Sequence, residues 1–230
     1  MSNPPAPTTP WFHTHSFPDG EVTPGSKTAA VLEAEAGVIF KHGVAGKSLL
    51  DIGASDGFFS FEAERRGAAR VLATDNFHWS GPGWGNKGGF DYAYAKLGSK
   101  ISSLDIDVPQ ISPETVGMHD VVLFLGVLYH VKDPLTALAK AASVAGELLI
   151  VETVTALDRL PWPVMRFYEG DELGNDPTNF WAPNNRCLAG MARELGFKRI
   201  EMTGHPLMRP HWRRPDSFWK ANRVVMHAWR

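Results

Sequence analysis

The sequence predicts an α/β protein with one main domain, built on a mostly parallel sheet of six or seven strands with helices on both faces. From Lys47 onward, short apolar runs alternate with segments of helical pattern, as parallel strands joined by crossover helices require. The chain has 230 residues, 43% of them hydrophobic, which is enough for one sizeable core and short for two independent domains.

Seven apolar runs are predicted to be strands: SLLDI, RVLAT, KISSLDI, DVVLFLG, GELLIVETV, FKRIEM and NRVVMHAW. Helices are predicted over FFSFEAERRG, Tyr92 to Leu97, Pro134 to Ala142 and Arg186 to Leu195. Gly67 and Gly196 stand at the ends of the first and last of these helices, where glycine commonly stops a helix.

Residues 1–43 are predicted to form an N-terminal tail and cap segment, and residues 44–230 the main domain. Residues 1–10 are rich in proline and small polar residues, so we expect a disordered tail there. Two aromatic-rich loops, near 77–91 and 156–184, interrupt the alternation of strands and helices. Because long loops in compact domains are usually functional or disordered, we expect these two to cover a substrate.

Composition argues against several classes of partner. The formal net charge is −2 and the pI is about 6.5, so nucleic acid is a less favoured partner. Cys187 stands alone and cannot form an intramolecular disulfide, and no apolar run reaches the roughly 18 residues of a membrane helix. The first residues lack the basic and apolar regions of a signal peptide. We expect a cytoplasmic protein, and the sequence leaves its oligomeric state open.

The first predicted strand runs directly into the turn DIGASDG. Gly53 and Gly57 allow the backbone to pass close to a ligand, with Ala54 and Ser55 between them. Dinucleotide-binding turns read GxGxxG, whereas Ser55 occupies the middle glycine position here. Asp51 suits a ligand that carries an ammonium group, such as the methionyl part of S-adenosylmethionine, and suits a pyrophosphate poorly.

Fitting groups also follow the next three strands. Asp75 lies about 20 residues after the glycine turn, where an acidic side chain can accept both ribose hydroxyls. Asp105 is expected to contact an adenine amino group with Ile106 against the ring, and Gly126 is expected beside the cofactor sulfur. The predicted cofactor contacts are therefore Asp51, Gly53, Ala54, Ser55, Gly57, Asp75, Asn76, Asp105, Ile106, Leu125 and Gly126.

Across about residues 44–230 the chain resembles class I S-adenosylmethionine-dependent methyltransferases. It is most similar to the bacterial tRNA wobble-uridine carboxymethyltransferase-like family, through DIGASDGFFSFEAERRGA, GVLYHVKDPL, GELLIVET and RVVMHAWR. The resemblance implies a Rossmann-like, mostly parallel, seven-stranded sheet and S-adenosylmethionine as cofactor. It also implies that Tyr129 and Arg223 match positions that hold a carboxylated cofactor in that family. The family's lysine after an upstream tryptophan has no match after Trp11, so ordinary methyl transfer is the prediction.

Methyl transfer is a displacement in which the cofactor brings the reactive carbon, so the protein mainly aligns the reactants. For a hydroxyl acceptor, His130 by type or Glu152 by position can serve as the base, and Tyr129 is a third catalytic candidate. A small, partly aromatic or glycosidic molecule suits the aromatic loops. The predicted substrate contacts are Trp84, Tyr168, Glu169, Asn179, Trp181 and Arg223.

The leading hypothesis is O-methylation of a small molecule: a natural product, a phenol or a sugar. The alternatives are a tRNA-modifying enzyme and a non-catalytic module that binds S-adenosylmethionine; Ser55 disfavours a nicotinamide oxidoreductase.

Several of the candidate residues also have a purely structural alternative: Asp75 as a turn cap, Asp105 as solvated loop, Tyr129 as a packed ring and His130 as a cap. The motif HTH at His13 to His15 is predicted to be loop, with no metal. The late cluster Arg209, His211, Arg213 and Arg214 is either a solvated face or a phosphate contact.

Overall fold

A computed structural model describes residues 10–83, 85–206 and 221–230 of the chain. It contains a seven-stranded, mostly parallel sheet, which confirms the predicted fold class. The chain divides into two compact units, residues 1–107 and 108–230.

In the part of the first unit that the structure describes there are three strands and three α-helices. In chain order they are α1 (Ala29–Ile39), β1 (Ser48–Ile52), α2 (Phe58–Arg65), β2 (Arg70–Asp75), α3 (Gly88–Leu97) and β3 (Ser102–Asp105). β2 pairs in parallel with both β1 and β3, and Asp75 lies opposite Asp105 in that register.

Among its described residues, the second unit carries six strands and three α-helices. In chain order they are α4 (Pro113–Val116), β4 (His119–Leu125), α5 (Pro134–Ser143), β5 (Ala145–Thr155), β6 (Met165–Phe167), β7 (Trp181–Pro183), α6 (Asn185–Glu194), β8 (Arg199–Gly204) and β9 (Asn222–Trp229). β4 and β5 pair in parallel, while β9 runs antiparallel to both β5 and β8. The strand order of the main sheet is β3-β2-β1-β4-β5-β9-β8, and β6 and β7 form a separate pair.

The central strands are buried because their sequences are nearly continuous apolar runs, as expected for parallel strands covered on both faces. Leu49 and Leu50 of β1 and Val121 to Phe124 of β4 are fully buried. Helix α5 begins at Pro134 with Asp133 as its N-cap, since the Asp133 carboxylate accepts the amide of Thr136.

Three local predictions are wrong. Helix α3 begins at Gly88, so the end of the first long loop is helical although paired glycines disfavour a helix. The second long loop contains the β6–β7 pair, whose strands of three residues are too short to show periodicity. The third predicted strand is shorter than expected, because only Ser102–Asp105 pairs with β2.

The N-terminal segment, residues 11–27, is ordered and is called here the strap. Trp11, His13, His15 and Phe17 are buried in alternation, as in an extended chain with one face inward. The HTH motif lies in no helix or strand, as predicted, but both of its histidines are buried within an aromatic cluster, which the sequence did not indicate. The predicted disordered tail, up to residue 9, lies outside the described residues. No helix in the described part of the chain is long and apolar enough to cross a membrane.

Candidate functional site

The turn after β1 adopts the left-handed backbone that its glycines allow. Gly53 and Gly57 have φ of 85° and 83°, and Ser55 between them has φ of 51°. The amides of Gly53 and Ala54 both donate to the carbonyl of Thr74, at 2.8 and 3.0 Å. These two amides therefore fasten the turn to β2, and a ligand would meet the side of the turn that contains Ser55.

Ser55 is held in this conformation from both sides. Its amide donates to Oδ2 of Asp75 at 2.8 Å, and its carbonyl accepts from Nε1 of the buried Trp79 at 2.9 Å. A left-handed conformation costs a residue other than glycine about 1–2 kcal/mol. The two hydrogen bonds offset that cost, so the strained turn is fixed before any ligand binds.

The hydroxyl of Ser55 is buried, and its Oγ atom has no hydrogen-bond partner within the described residues. A buried polar atom without a partner costs about 1–3 kcal/mol, which a ligand with a polar group can recover. The turn therefore fits the polar methionyl end of S-adenosylmethionine.

Asp51 is buried at the end of β1, where Oδ2 accepts the hydroxyl of Ser60 at 2.7 Å. Burial, with a smaller contribution from the Asp75 charge, raises the pKa of the Asp51 carboxyl to about 7 against the opposing effect of the Ser60 hydrogen bond. A bound cation would stabilise the ionised carboxylate. This environment fits an ammonium group.

Asp75 is buried at the end of β2 with its carboxylate oriented by two backbone amides. Besides Ser55, the amide of His78 donates to Oδ1 at 2.9 Å, and Nδ1 of His78 lies 3.7 Å from Oδ2. Each carboxylate oxygen retains a lone pair for a further donor. The side chain can therefore orient the turn and still accept ribose hydroxyls.

The ends of β2 and β3 are joined by side chains. Nδ2 of Asn76 donates to Oδ1 of the exposed Asp105 at 3.0 Å, and the amide of the half-buried Ile106 donates to the carbonyl of Asp75 at 3.3 Å. The structure thus brings together the cofactor candidates of the first unit: Asp51, Gly53, Ala54, Ser55, Gly57, Asp75, Asn76, Asp105 and Ile106.

In the second unit, Arg223 of β9 links Glu152 of β5 to Tyr129. Its Nε lies 2.5 Å from Oε1 of Glu152, and its Nη2 donates to Oε2 of Glu152 and to the Tyr129 hydroxyl, both at 2.9 Å. Burial lowers the pKa of Arg223, but the opposing contribution of Glu152 leaves it well above its usual value. Burial raises the pKa of the Tyr129 phenol, although Arg223 acts in the opposite direction.

Leu125 and Gly126 are half-buried at the end of β4. Gly126 has φ of 71°, and its amide donates to the carbonyl of Glu152 at 3.0 Å. A Cβ atom at Gly126 would lie 3.6 Å from the Tyr129 hydroxyl. These two residues therefore adjoin the Tyr129, Glu152 and Arg223 group.

His130 contacts the second long loop. Its Nδ1 lies 3.0 Å from Oγ1 and 3.1 Å from the carbonyl oxygen of Thr178. The Thr178 hydroxyl in turn donates to Oδ1 of Asp176 at 2.6 Å. The histidine ring is therefore oriented by a short polar chain.

The predicted substrate residues of the second loop have different environments. Tyr168 is buried in the same apolar cluster as Tyr129, and the Arg166 guanidinium lies over its ring at 4.3 Å. Asn179 donates to the carbonyl of Leu173 at 2.7 Å and so stabilises its own loop. Glu169 is exposed, and the half-buried Trp181 donates to the carbonyl of Lys132 at 3.2 Å.

Trp84, a predicted substrate contact, lies outside the described residues, as does the cluster Arg209, His211, Arg213 and Arg214. Within the residues that the structure describes, no group of three or more His, Cys, Asp or Glu side chains is arranged to hold a metal ion.

Several residues of this region escaped the sequence argument. Ser60, Trp79 and Thr178 each hold a predicted site residue through a hydrogen bond, and Asp176 accepts the hydroxyl of Thr178. Asp56 accepts the amides of Phe12 and His13, at 2.7 and 3.0 Å, and so ties the strap to the glycine turn. In the sequence, only the position of Asp56 within DIGASDG, directly after Ser55, could have indicated that it belongs to this region.

The sheet order and the antiparallel β9 define a Rossmann-like fold of the kind found in class I S-adenosylmethionine-dependent methyltransferases. The N-terminal domain of EvdMO1, crystallised in the presence of SAH (S-adenosylhomocysteine) and D-fucose, matches 96% of this chain and 92% of its own, with a TM-score of 0.68 and 20% identity. The 1,6-didemethyltoxoflavin-N1-methyltransferase of Burkholderia thailandensis matches 87% of this chain and 78% of its own, with a TM-score of 0.60 and 17% identity.

Magnesium protoporphyrin IX methyltransferase from Synechocystis PCC 6803, with bound SAM (S-adenosylmethionine), matches 87% of this chain and 78% of its own, with a TM-score of 0.57 and 16% identity. At these identities the likeness shows the fold. No family model and no curated protein matches the sequence. Nothing in the comparisons favours the tRNA carboxymethyltransferase-like family in particular.

Proposed function

We propose that this protein is an S-adenosylmethionine-dependent methyltransferase that methylates an oxygen atom of a small molecule. The observation that carries the proposal is the preorganised turn after β1, where Asp75 holds the strained Ser55 beside the buried Asp51. The fold likeness supports it, because the neighbours named above are methyltransferases or were crystallised with SAH.

Each part of the cofactor has a candidate partner. Asp51 and the Ser55 hydroxyl would bind the methionyl ammonium and carboxylate, and Asp75 would accept the ribose hydroxyls. Asp105 and Ile106 would bind the adenine, and Leu125 and Gly126 complete the proposed set. A nicotinamide dinucleotide fits less well, because its pyrophosphate would meet the acidic Asp51.

Bound S-adenosylmethionine supplies a methyl carbon that forms a bond to the acceptor oxygen while the carbon–sulfur bond breaks and its electron pair returns to sulfur. His130 would take the proton that the acceptor hydroxyl loses, since an imidazole accepts protons near neutral pH. Glu152 suits this task less, because both of its oxygens accept hydrogen bonds from Arg223. We therefore propose that Glu152 and Arg223 orient Tyr129.

The same ion pair favours methyl over carboxymethyl transfer. A carboxylated cofactor would need the Arg223 guanidinium for its extra carboxylate, and Glu152 already occupies two of its nitrogens. Displacing Glu152 would leave a buried carboxylate without its partner, which is strongly destabilising.

The acceptor is proposed to be a small molecule, including sugars. The neighbours' names support this class, since they mention D-fucose, 1,6-didemethyltoxoflavin and magnesium protoporphyrin IX. The net charge of −2 gives tRNA no general attraction.

The test is transfer of an isotope-labelled methyl group from S-adenosylmethionine to panels of deoxysugars, phenols and bulk tRNA. The proposal expects small molecules that have gained one labelled methyl group in place of a hydrogen atom, with His130→Gln slowing the transfer by about 10²-fold or more. Label on tRNA alone would establish the wobble-uridine alternative instead. Cofactor binding without transfer to any acceptor would favour the non-catalytic module.

A further inference from the structure

We propose that Thr178 and Asp176 are positioning residues that fix His130 as the tautomer with its proton on Nδ1, so that Nε2 accepts the proton of the substrate. The inference deepens the proposed function and rests on it, because it concerns the residue proposed as the base. It follows from the hydrogen-bond roles of three neighbouring groups.

The first group is the backbone carbonyl of Thr178, which lies 3.1 Å from Nδ1 of His130. A carbonyl oxygen only accepts hydrogen bonds. A lone pair on Nδ1 would therefore face the lone pairs of the carbonyl, whereas a proton on Nδ1 makes the contact attractive.

The second group is the Thr178 hydroxyl, whose Oγ1 lies 3.0 Å from the same Nδ1. A hydroxyl has one proton to donate, and Thr178 donates it to Oδ1 of Asp176 at 2.6 Å. Oγ1 of Thr178 can therefore only accept a hydrogen bond from Nδ1 of His130. Both Thr178 oxygens require the proton on Nδ1.

The third group is the Asp176 carboxylate, which receives the hydroxyl and also the amide of Thr178, the latter at 2.8 Å. Burial acts to raise the pKa of Asp176, but its hydrogen bonds with Thr178 outweigh this and lower it. The carboxylate is therefore charged at neutral pH. Because it accepts the hydroxyl proton of Thr178, that proton is not donated to the His130 ring.

The loop around Thr178 is anchored next to His130. The amide of Phe180 donates to the carbonyl of Tyr129 at 2.8 Å, so the contact includes the residue that directly precedes His130. Asn179 stabilises the same loop through the carbonyl of Leu173. The ring orientation thus depends on backbone contacts, which resembles the way a third group orients the base in catalytic triads.

The tautomer can be measured without knowing the acceptor. We would record long-range ¹H–¹⁵N correlation spectra of the ¹⁵N-labelled full chain at pH 8, assigning His130 by its absence in His130→Gln. The wild type is expected to have most His130 rings protonated on Nδ1, although a histidine side chain in water prefers Nε2. Asp176→Ala frees the Thr178 proton to donate to Nδ1 and should shift the population toward Nε2 protonation by several-fold.

Thr178→Ser keeps the hydroxyl and is the matched control, expected to give the wild-type tautomer. Backbone amide spectra show which variants are folded, and Thr178→Val replaces Asp176→Ala if the latter is unfolded. A wild-type ring protonated mainly on Nε2, or a folded Asp176→Ala protein with unchanged tautomers, overturns the inference. Calorimetric titration of the same samples with S-adenosylhomocysteine tests the proposed function separately, since failure to bind would leave the tautomer result intact.

Discussion

At the scale of single residues, the site candidates of the first unit are defined by charge in a buried setting. Asp51 and Asp75 lie at the ends of neighbouring parallel strands, and the Asp75 charge raises the pKa of Asp51 in addition to the effect of burial. In the absence of a cation the Asp75 charge therefore disfavours the ionisation of Asp51. The protonation state of Asp51 should therefore change when a cationic ligand binds beside it.

Binding of S-adenosylhomocysteine at pH 6 is expected to release a proton. The Asp51 carboxyl, with a pKa of about 7, is mostly protonated in the free protein at that pH, and a neighbouring ammonium lowers its pKa. The ligand's own α-amino group is charged throughout at pH 6. Calorimetry in buffers of different ionisation enthalpy measures the release, which should approach one proton per site and diminish above pH 8.

Asp51→Asn is the matched variant for this measurement, because it keeps the shape of the side chain and cannot ionise. Release that persists in Asp51→Asn, or proton uptake by the wild type, would show that the ammonium does not bind at Asp51.

The sequence predicted these residue positions well because they follow from the ends of strongly apolar strands. It did not predict their partners, since Ser60 and Trp79 meet Asp51 and Ser55 only after the chain folds. The role of Glu152 is another such case. As a strand-end carboxylate it was a plausible base, and only the contact with Arg223, 71 residues away in sequence, shows that its oxygens are occupied.

At the scale of elements, the strap joins the first unit through a buried aromatic and histidine cluster. His15 stacks on Phe17 and meets Phe61 of α2 edge-on, at ring distances of 5.9 and 6.0 Å. Burial lowers the pKa of His15 to about 4, with the backbone at Asp56 opposing the shift, and lowers the pKa of His13 well below its usual value. Both rings are neutral when the strap is in place.

The strap therefore makes stability depend on pH. A histidine whose folded pKa lies below its unfolded value of 6.5 opposes folding as pH falls, and for His15 this loss builds up between pH 6.5 and about 4. His15→Phe removes that titration and keeps an aromatic ring. Relative to His15→Phe, the wild type should lose on the order of 3 kcal/mol of unfolding free energy between pH 7 and 4.

Denaturant unfolding at several pH values measures this difference. Asp51, whose pKa is raised, stabilises the fold as pH falls, but it contributes equally to both proteins and cancels. His42→Gln, at an exposed position, controls for the loss of a histidine. Parallel pH profiles for wild type and His15→Phe would contradict a buried, neutral His15.

A second prediction at this scale concerns the pairing of β5 with β9. Glu152 and Arg223 lie on these adjacent antiparallel strands, with Val154 opposite Arg223 and Val225 opposite Glu152. Removing one partner of a buried ion pair typically costs about 3–5 kcal/mol, because the other charge stays buried alone. Glu152→Gln and Arg223→Met should each destabilise by about that amount.

The double variant should be less destabilised than the sum of the two single variants, and unfolding free energies of all four proteins give the coupling. Additive losses would mean that the two side chains do not form the pair in solution.

At the scale of the whole molecule, the mostly parallel sheet was predictable because apolar strands alternate with helical segments along the chain, whereas the order of its strands was not predicted. The ordered strap was not predictable, because two of its four alternately buried residues are histidines and the apolar Phe12 interrupts the alternation with polar residues. Helix α1 also went unpredicted, although Thr28 caps its first turn. Its alanine-rich sequence has a weakly amphipathic pattern, so its position depends on packing that the sequence does not display.

The identity of the methyl acceptor is the property that the sequence predicts least well. In the proposed function the strand-end residues would bind the cofactor, whereas acceptor specificity would depend on loops such as 156–184, because loops differ most among proteins of one fold. The names of the structural neighbours mention different small molecules, although the neighbours share one fold.

The most direct test of the central claim is isothermal titration of the full chain with S-adenosylmethionine, S-adenosylhomocysteine, the carboxylated cofactor and NAD. We expect micromolar binding of S-adenosylmethionine and S-adenosylhomocysteine, weaker binding of the carboxylated cofactor and no binding of NAD. Asp75→Ala should weaken binding by about tenfold or more, since it removes charged hydrogen bonds to the ribose, while the exposed Asp171→Ala should bind as wild type. Binding of NAD alone, or equal affinity of wild type and Asp75→Ala for S-adenosylmethionine, would contradict the central claim.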